Sequence, residues 1–266
     1  MTGKKPLLGT EALEVAIGDV NVVNNLNLSF NAGQSWGVLG PNGVGKTTLL
    51  LTLAGVRPAQ GGKVLLKQAP INEIPRKQIA QQLGMLTQNT RFAFDANCLQ
   101  IALSGRHPHL TTWARESMND RKMARDALAQ VDLQTMESRS CSTLSGGEQR
   151  RLALAVTLTQ NPDVLLLDEP TNHLDPAHQV DILNQLWKRI QYDQLLQLMA
   201  LHDINLATCY CTHVLMLFGN GRWQAGLAEE LLNEANLTEL FGCPIRAVRD
   251  QQQTVFAAVG GTNGVG

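Results

Sequence analysis

The sequence predicts an α/β fold: a mostly parallel sheet flanked by helices, with an N-terminal antiparallel β subdomain and an inserted α-helical subdomain. Three observations carry this. A glycine-rich turn at residues 40–48 joins an apolar strand pattern to a helical one. The short apolar runs at 164–167 and 195–201 do not alternate, as expected of central parallel strands covered on both faces. From 89 to 160 the pattern turns helical, with amphipathic stretches such as 121–131.

The turn reads Gly40-Pro41-Asn42-Gly43-Val44-Gly45-Lys46-Thr47-Thr48 and fits the phosphate-binding pattern Gly-x-x-x-x-Gly-Lys-[Ser/Thr] in its required strand-to-helix setting. Glycines let backbone N–H groups approach a triphosphate closely at a helix N-terminus. Lys46 offers charge to the outer phosphates, and the Thr47 hydroxyl can ligate Mg²⁺.

The chain in order begins with extended segments at 12–17 and 26–30, separated by a turn at Gly18-Asp19. The helix after the phosphate-binding turn stops at Gly55, with Pro58 beyond it. A strand at 63–66, a helix over 75–83 and a short strand at 84–88 ending on Gln88 follow. Residues 105–109, Gly-Arg-His-Pro-His, read as a loop within the helical region. Ser145 and Glu148 have capping-box spacing at the next helix start, which explains them but not Gly146 and Gly147. Glycine inside a first helical turn costs up to ~1 kcal/mol, so those two point to something approaching the N–H groups closely.

The run 164–167 delivers Asp168 and Glu169 to its C-terminal end. Two adjacent carboxylates there call for a cation or a reacting water. Asp175-Pro176 reads as an N-cap followed by proline at the first helical position. The run 195–201 ends at His202, on the side of the sheet where the phosphate-binding turn and Asp168 also fall. A strand at 214–218, a helical patch over 229–241 and a final strand near 254–258 complete the fold, and 260–266 reads as a flexible tail.

Composition narrows the function classes. At 266 residues the chain can bury a substantial core, and 44% hydrophobic with 17% charged residues describes a soluble globular protein. A net charge of -1 argues against nucleic acid as the partner. Five scattered cysteines suit free thiols in a reducing compartment, and Cys209-Tyr210-Cys211 lacks a metal or redox spacer and reads as packing. No signal-peptide core is visible, and the longest apolar runs fall far short of the ~18 residues that span a bilayer.

Taken together, the motifs and their order resemble the nucleotide-binding subunit of an ABC transporter, over roughly residues 10–259. The most specific element is Leu144-Ser145-Gly146-Gly147-Glu148-Gln149, which matches the ABC signature. The resemblance makes residues 40–48 Walker A, 164–168 Walker B, Gln88 the Q-loop, Glu169 the catalytic glutamate, Asp175 part of the D-loop and His202 the H-loop. It implies ATP and Mg²⁺ as ligands, with the metal held by Thr47, Gln88 and Asp168. Two copies would pack head to tail, the signature of each meeting the γ-phosphate held by the other's Lys46. Ile17 stands where the family usually stacks adenine on an aromatic ring, so the base would have only aliphatic contact there.

The resemblance also divides the chain into a β subdomain at about 10–35, a P-loop NTPase core at 36–88 and 161–218, a helical subdomain at 89–160 and a C-terminal part at 219–259. Residues 105–109, and 236–244 near the C-terminus, resemble ATPases of iron-siderophore, haem and cobalamin importers. Permease subunits would be contacted within 88–113, a span opened by Gln88 and closed by Trp113, and a substrate-binding protein would act indirectly. The implied setting is the cytoplasmic face of the inner membrane. The alternatives are the same engine on an importer for metal cations or other solutes, and a soluble ABC ATPase outside transport.

Overall fold

The computed structural model describes residues 5–88, 92, 95–111, 114–172, 174–249 and 254–259. Strands β1 (Leu8–Ile17) and β2 (Val20–Phe30) form an antiparallel hairpin through the Gly18-Asp19 turn, with Ile17 opposite Val20. Their inward residues Leu13, Val15, Val23, Leu26 and Phe30 are fully buried and share a core with Leu49, Leu50 and Leu53. Each such side chain adds about 1.5–3 kcal/mol of burial. β3 (Ser35–Leu39) is buried along its whole length and leads into α1 (Lys46–Leu53). That helix ends at Ala54, followed by Gly55 in the left-handed region at φ 66°.

β4 (Gly61–Leu66) pairs with β1, and β5 (Ala69–Pro70) pairs with β4. The strand expected within the 36–88 core therefore joins the antiparallel sheet, whose order is β2-β1-β4-β5. α2 (Arg76–Gln82) feeds β6 (Leu83–Leu86).

The helical region contains α3 (Cys98–Leu103), α4 (Met118–Gln130) and α5 (Gly146–Gln160), packed around Ile101, Leu128, Leu133 and Leu152. The segment read as a loop is instead a 3₁₀ turn, Ser104–His109. Gly105 lies so close to α5 that an added Cβ would run into the Val156 carbonyl oxygen. Arg106 forms a 2.7 Å ion pair with Asp120 and also donates to the carbonyls of Thr159 and Gln160. The segment is thereby fixed to α4 and α5.

β7 (Val164–Asp168), α6 (Pro176–Asp193) and β8 (Leu196–Ala200) follow, then α7 (Ile204–Tyr210), β9 (His213–Gly219) and β10 (Arg222–Leu227). The main sheet has the order β10-β9-β3-β8-β7-β6, parallel except for β10. Cys211 packs beneath Gly37 and burial pushes its thiol up to about 12, whereas Cys209 is exposed. The packing reading of this pair thus applies to one member. Beyond α8 (Ala228–Leu231) and α9 (Glu234–Phe241), the expected final strand is one arm of a hairpin, β11 (Ile245–Arg249) with β12 (Thr254–Ala258). Among the described residues, no helix is long and apolar enough to cross a membrane. The 260–266 tail and Trp113 lie outside the described residues.

Candidate functional site

β3, β8, β7 and β6 lie side by side and parallel, and each carries a predicted site element at or beyond its carboxyl end. With strands ~4.8 Å apart, the glycine turn, His202, Asp168-Glu169 and Gln88 fall in a row about 15 Å long. Such strand ends are where open α/β sheets bind ligands.

In the glycine turn, an added Cβ on Gly40 would sit 2.6 Å from the Leu217 carbonyl oxygen, and one on Gly45 would sit 2.5 Å from Val22. Gly45 also has φ 108°, so glycine is required there for both space and conformation. Gly45 provides no side-chain cap for α1, leaving the helix's first N–H groups directed at the loop. Val44 N–H closes the turn onto the Pro41 carbonyl at 3.3 Å. Lys46 is buried, and its Nζ donates to the carbonyls of Gly40 at 2.7 Å and Pro41 at 3.2 Å. Burial lowers its pKa, opposed by the charges of Glu169 and Asp168.

Asp168 is fully buried, and among the described residues neither carboxylate oxygen has a well-formed hydrogen bond. Burial pushes its pKa upward and the Glu169 charge adds to this, while the neighbouring Thr47 hydroxyl and the Arg150 and Lys46 charges oppose it. Two buried acceptor oxygens beside a hydroxyl make a hard donor set that fits a Mg²⁺ ion.

Glu169 is held from three sides. Its Oε2 accepts from Gln88 Nε2 at 3.0 Å and from Asn172 Nδ2, and its Oε1 accepts from His202 Nε2. Its own backbone is left-handed, with φ 52°. That conformation costs a residue bearing a Cβ about 1–2 kcal/mol.

Ser145 and Asp175 use their side chains on their own helices. Ser145 Oγ accepts from Glu148 N–H at 3.3 Å, and Glu148 Oε2 accepts from Ser145 N–H at 2.6 Å. Gln149 Nε2 donates to the Leu144 carbonyl at 3.2 Å. Glu148's pKa is lowered chiefly by the Ser145 N–H. An added Cβ on Gly146 would meet no atom of the described residues within 4 Å, so none of these demands glycine there. Asp175 caps α6, accepting from His178 N–H at 3.0 Å and pairing with His178 Nδ1 at 2.7 Å; its pKa is lowered by the same contacts. Ile17 is 41% exposed at the hairpin tip, opposite the exposed Val20.

Two residues at the site were not anticipated from sequence. Asn172 follows Glu169 by three residues in a polar turn, a spacing that could have revealed it. Arg150 gave no local signal. Its Nη1 donates to the carbonyls of Thr87 and, at 3.2 Å, Gln88, while its Nη2 donates to those of Asp168 and, at 2.8 Å, Glu169.

Against known families, residues 23–172, more than half of the chain, match the ABC transporter family. The chain belongs to the ABC transporter family. This ABC subunit is 33% identical over 234 residues to a petrobactin import ATP-binding protein of Bacillus anthracis, covering 88% of this chain and 86% of the relative. It is 32% identical over 250 residues to a hemin import ATP-binding protein of Escherichia coli O157:H7, covering 92% and 95%. Among solved structures it resembles a metal-chelate type ABC transporter in an inward-facing conformation, with TM-score 0.83 and 27% identity over 96% of this chain and 98% of the other. As an ATP-binding subunit of this family, it hydrolyses ATP.

Proposed function

We propose that this ABC ATPase powers uptake of a metal chelate of the iron-siderophore, haem or cobalamin type, from the cytoplasmic face of a bacterial inner membrane. The observation that carries the substrate class is likeness over nearly the full length to subunits named for petrobactin and hemin import. Cargo recognition belongs to permease and binding-protein partners, with the permease meeting this chain within residues 88–113. The described part of that span includes the Ser104–His109 turn.

In the proposed mechanism, N–H groups of residues 40–48 wrap the phosphates and Lys46 neutralises the outer ones. Thr47, Gln88 and Asp168 would hold Mg²⁺, which supplies charge stabilisation to the phosphoryl oxygens when bound. Glu169 orients a water and accepts its proton as oxygen attacks the γ-phosphorus, while the bond to the β-phosphate oxygen breaks and its electron pair leaves with ADP. His202, steered by Glu169, donates to the γ-phosphate as its charge redistributes. A second copy packs head to tail, with Ser145, Gly146 and Gly147 of one copy facing the γ-phosphate held by the other. The open surface at Gly146 supports this, because none of the described residues gives the glycine a purpose while an approaching outside group would. The D-loop Asp175 lies at that same junction. Ile17 meets the base without stacking.

The test is affinity purification of the chain from native membranes, followed by reconstitution with the proteins it carries along. Recovery of a permease, and ATPase activity stimulated by a binding protein loaded with ferric siderophore or haem, is the expected result. Recovery with ribosomes or DNA and no permease overturns the transport reading.

A further inference from the structure

The Glu169 carboxylate hangs from a backbone in the left-handed region, and the Asp168 and Glu169 carbonyls both turn toward one buried guanidinium. The same guanidinium holds the Thr87 and Gln88 carbonyls through its other nitrogen. Four carbonyl oxygens from the ends of two neighbouring strands, β6 and β7, therefore meet one rigid plane. A guanidinium is suited to this because its N–H donors have fixed directions, whereas an ammonium is a point charge on a flexible stem. The side chains above these carbonyls are themselves in contact, Gln88 Nε2 donating to Glu169 Oε2 at 3.0 Å. Arg150 sits about one turn into α5, whose first turn carries Gly146 and Gly147.

We propose that Arg150 is a positioning residue: its guanidinium fork sets Gln88 against Glu169 and ties both to the signature helix. Displacement of α5, as its N-terminus engages nucleotide across the dimer, then moves the backbones of Gln88 and Glu169 together. Arg150 does not touch the phosphates in this arrangement. Its loss acts on the geometry of the water-activating carboxylate and leaves the glycine turn intact. The inference rests on the proposed role of Glu169.

The experiment compares Arg150→Lys and Arg150→Met with the whole wild-type chain, measuring binding of a fluorescent ATP analogue and the kcat and KM of MgATP hydrolysis. A lysine ammonium carries three donors on a single nitrogen and cannot reproduce a fork that meets four carbonyls through two. The expected result for Arg150→Lys is analogue affinity and KM within about twofold of wild type and kcat lowered about tenfold, with a larger kcat loss for Arg150→Met. A kcat within twofold of wild type in Arg150→Lys overturns the proposal. So does joint loss of analogue binding and hydrolysis in Arg150→Lys, which would make the residue a support of the whole fold. Should Arg150→Met fail to fold, Arg150→Lys alone decides. Glu169→Gln run in parallel separates the two readings: full turnover there removes Glu169 from its role, whatever the arginine variants do.

Discussion

Replacing Asp120 by asparagine should destabilise the helical region in a pH-dependent way. The carboxylate takes the Ser117 hydroxyl and N–H as well as Arg106 Nε, with both side chains of the ion pair about 11% exposed. These bonds, led by the Ser117 hydroxyl, hold its pKa at about 2, against an ordinary 3.8. At ~1.4 kcal/mol per pKa unit, that depression contributes about 2.5 kcal/mol to folding at neutral pH. A depressed carboxylate contributes fully above the unfolded value and loses its contribution as pH falls toward the folded one. The window therefore runs from about pH 5 down to about pH 2. Urea unfolding of wild type and Asp120→Asn should differ by about 2–3 kcal/mol at pH 7 and about half as much at pH 3. In calorimetry at pH 7, the variant should melt about 5–8 °C lower. An equal gap at pH 3 and pH 7, or one under about 0.5 kcal/mol at pH 7, refutes the reasoning.

Three further outcomes are expected. Glu169→Gln should keep ATP binding and lose turnover by about 10²–10⁴, accumulating an ATP-bound dimer visible by gel filtration; retained hydrolysis would count against its assigned role. Asp168→Asn should lose Mg²⁺-dependent hydrolysis yet melt a few degrees higher without nucleotide. Burial raises the Asp168 pKa, so its charged form opposes folding increasingly as pH climbs above the ordinary carboxylate range, and a lower melting point would contradict this. Ser145→Arg places bulk and charge at an exposed helix start and should block ATP-driven dimerisation in light scattering while sparing monomer binding; a normal dimer would exclude the head-to-tail arrangement.

Features written into local spacing were legible in the sequence. The glycine turn, the capping box of Ser145 and Glu148, the Asp175-Pro176 start of α6 and the apolar runs of β7 and β8 each depend on residues a few positions apart. What depended on distant partners was hidden. β4 has the composition of a core strand, and only its pairing with β1 assigns it elsewhere. The Ser104–His109 turn looked like a loop because its stabilising partners lie on α4 and α5. Arg150 carries no signal in its local sequence, since the four carbonyls it meets lie 18 to 63 residues away. The left-handed backbone of Glu169 was equally invisible, because glutamate carries no preference for that region.

That backbone sets chemistry against comfort at a single position. Glycine would rest there without strain, so the chain could relax simply by discarding its carboxylate. On the role proposed for Glu169, drift there to glycine would yield a chain with a relaxed backbone that still grips its nucleotide but has lost the group that activates water. A screen for abundance or heat resistance would rate such a chain healthy; only a measurement of phosphate release would expose it.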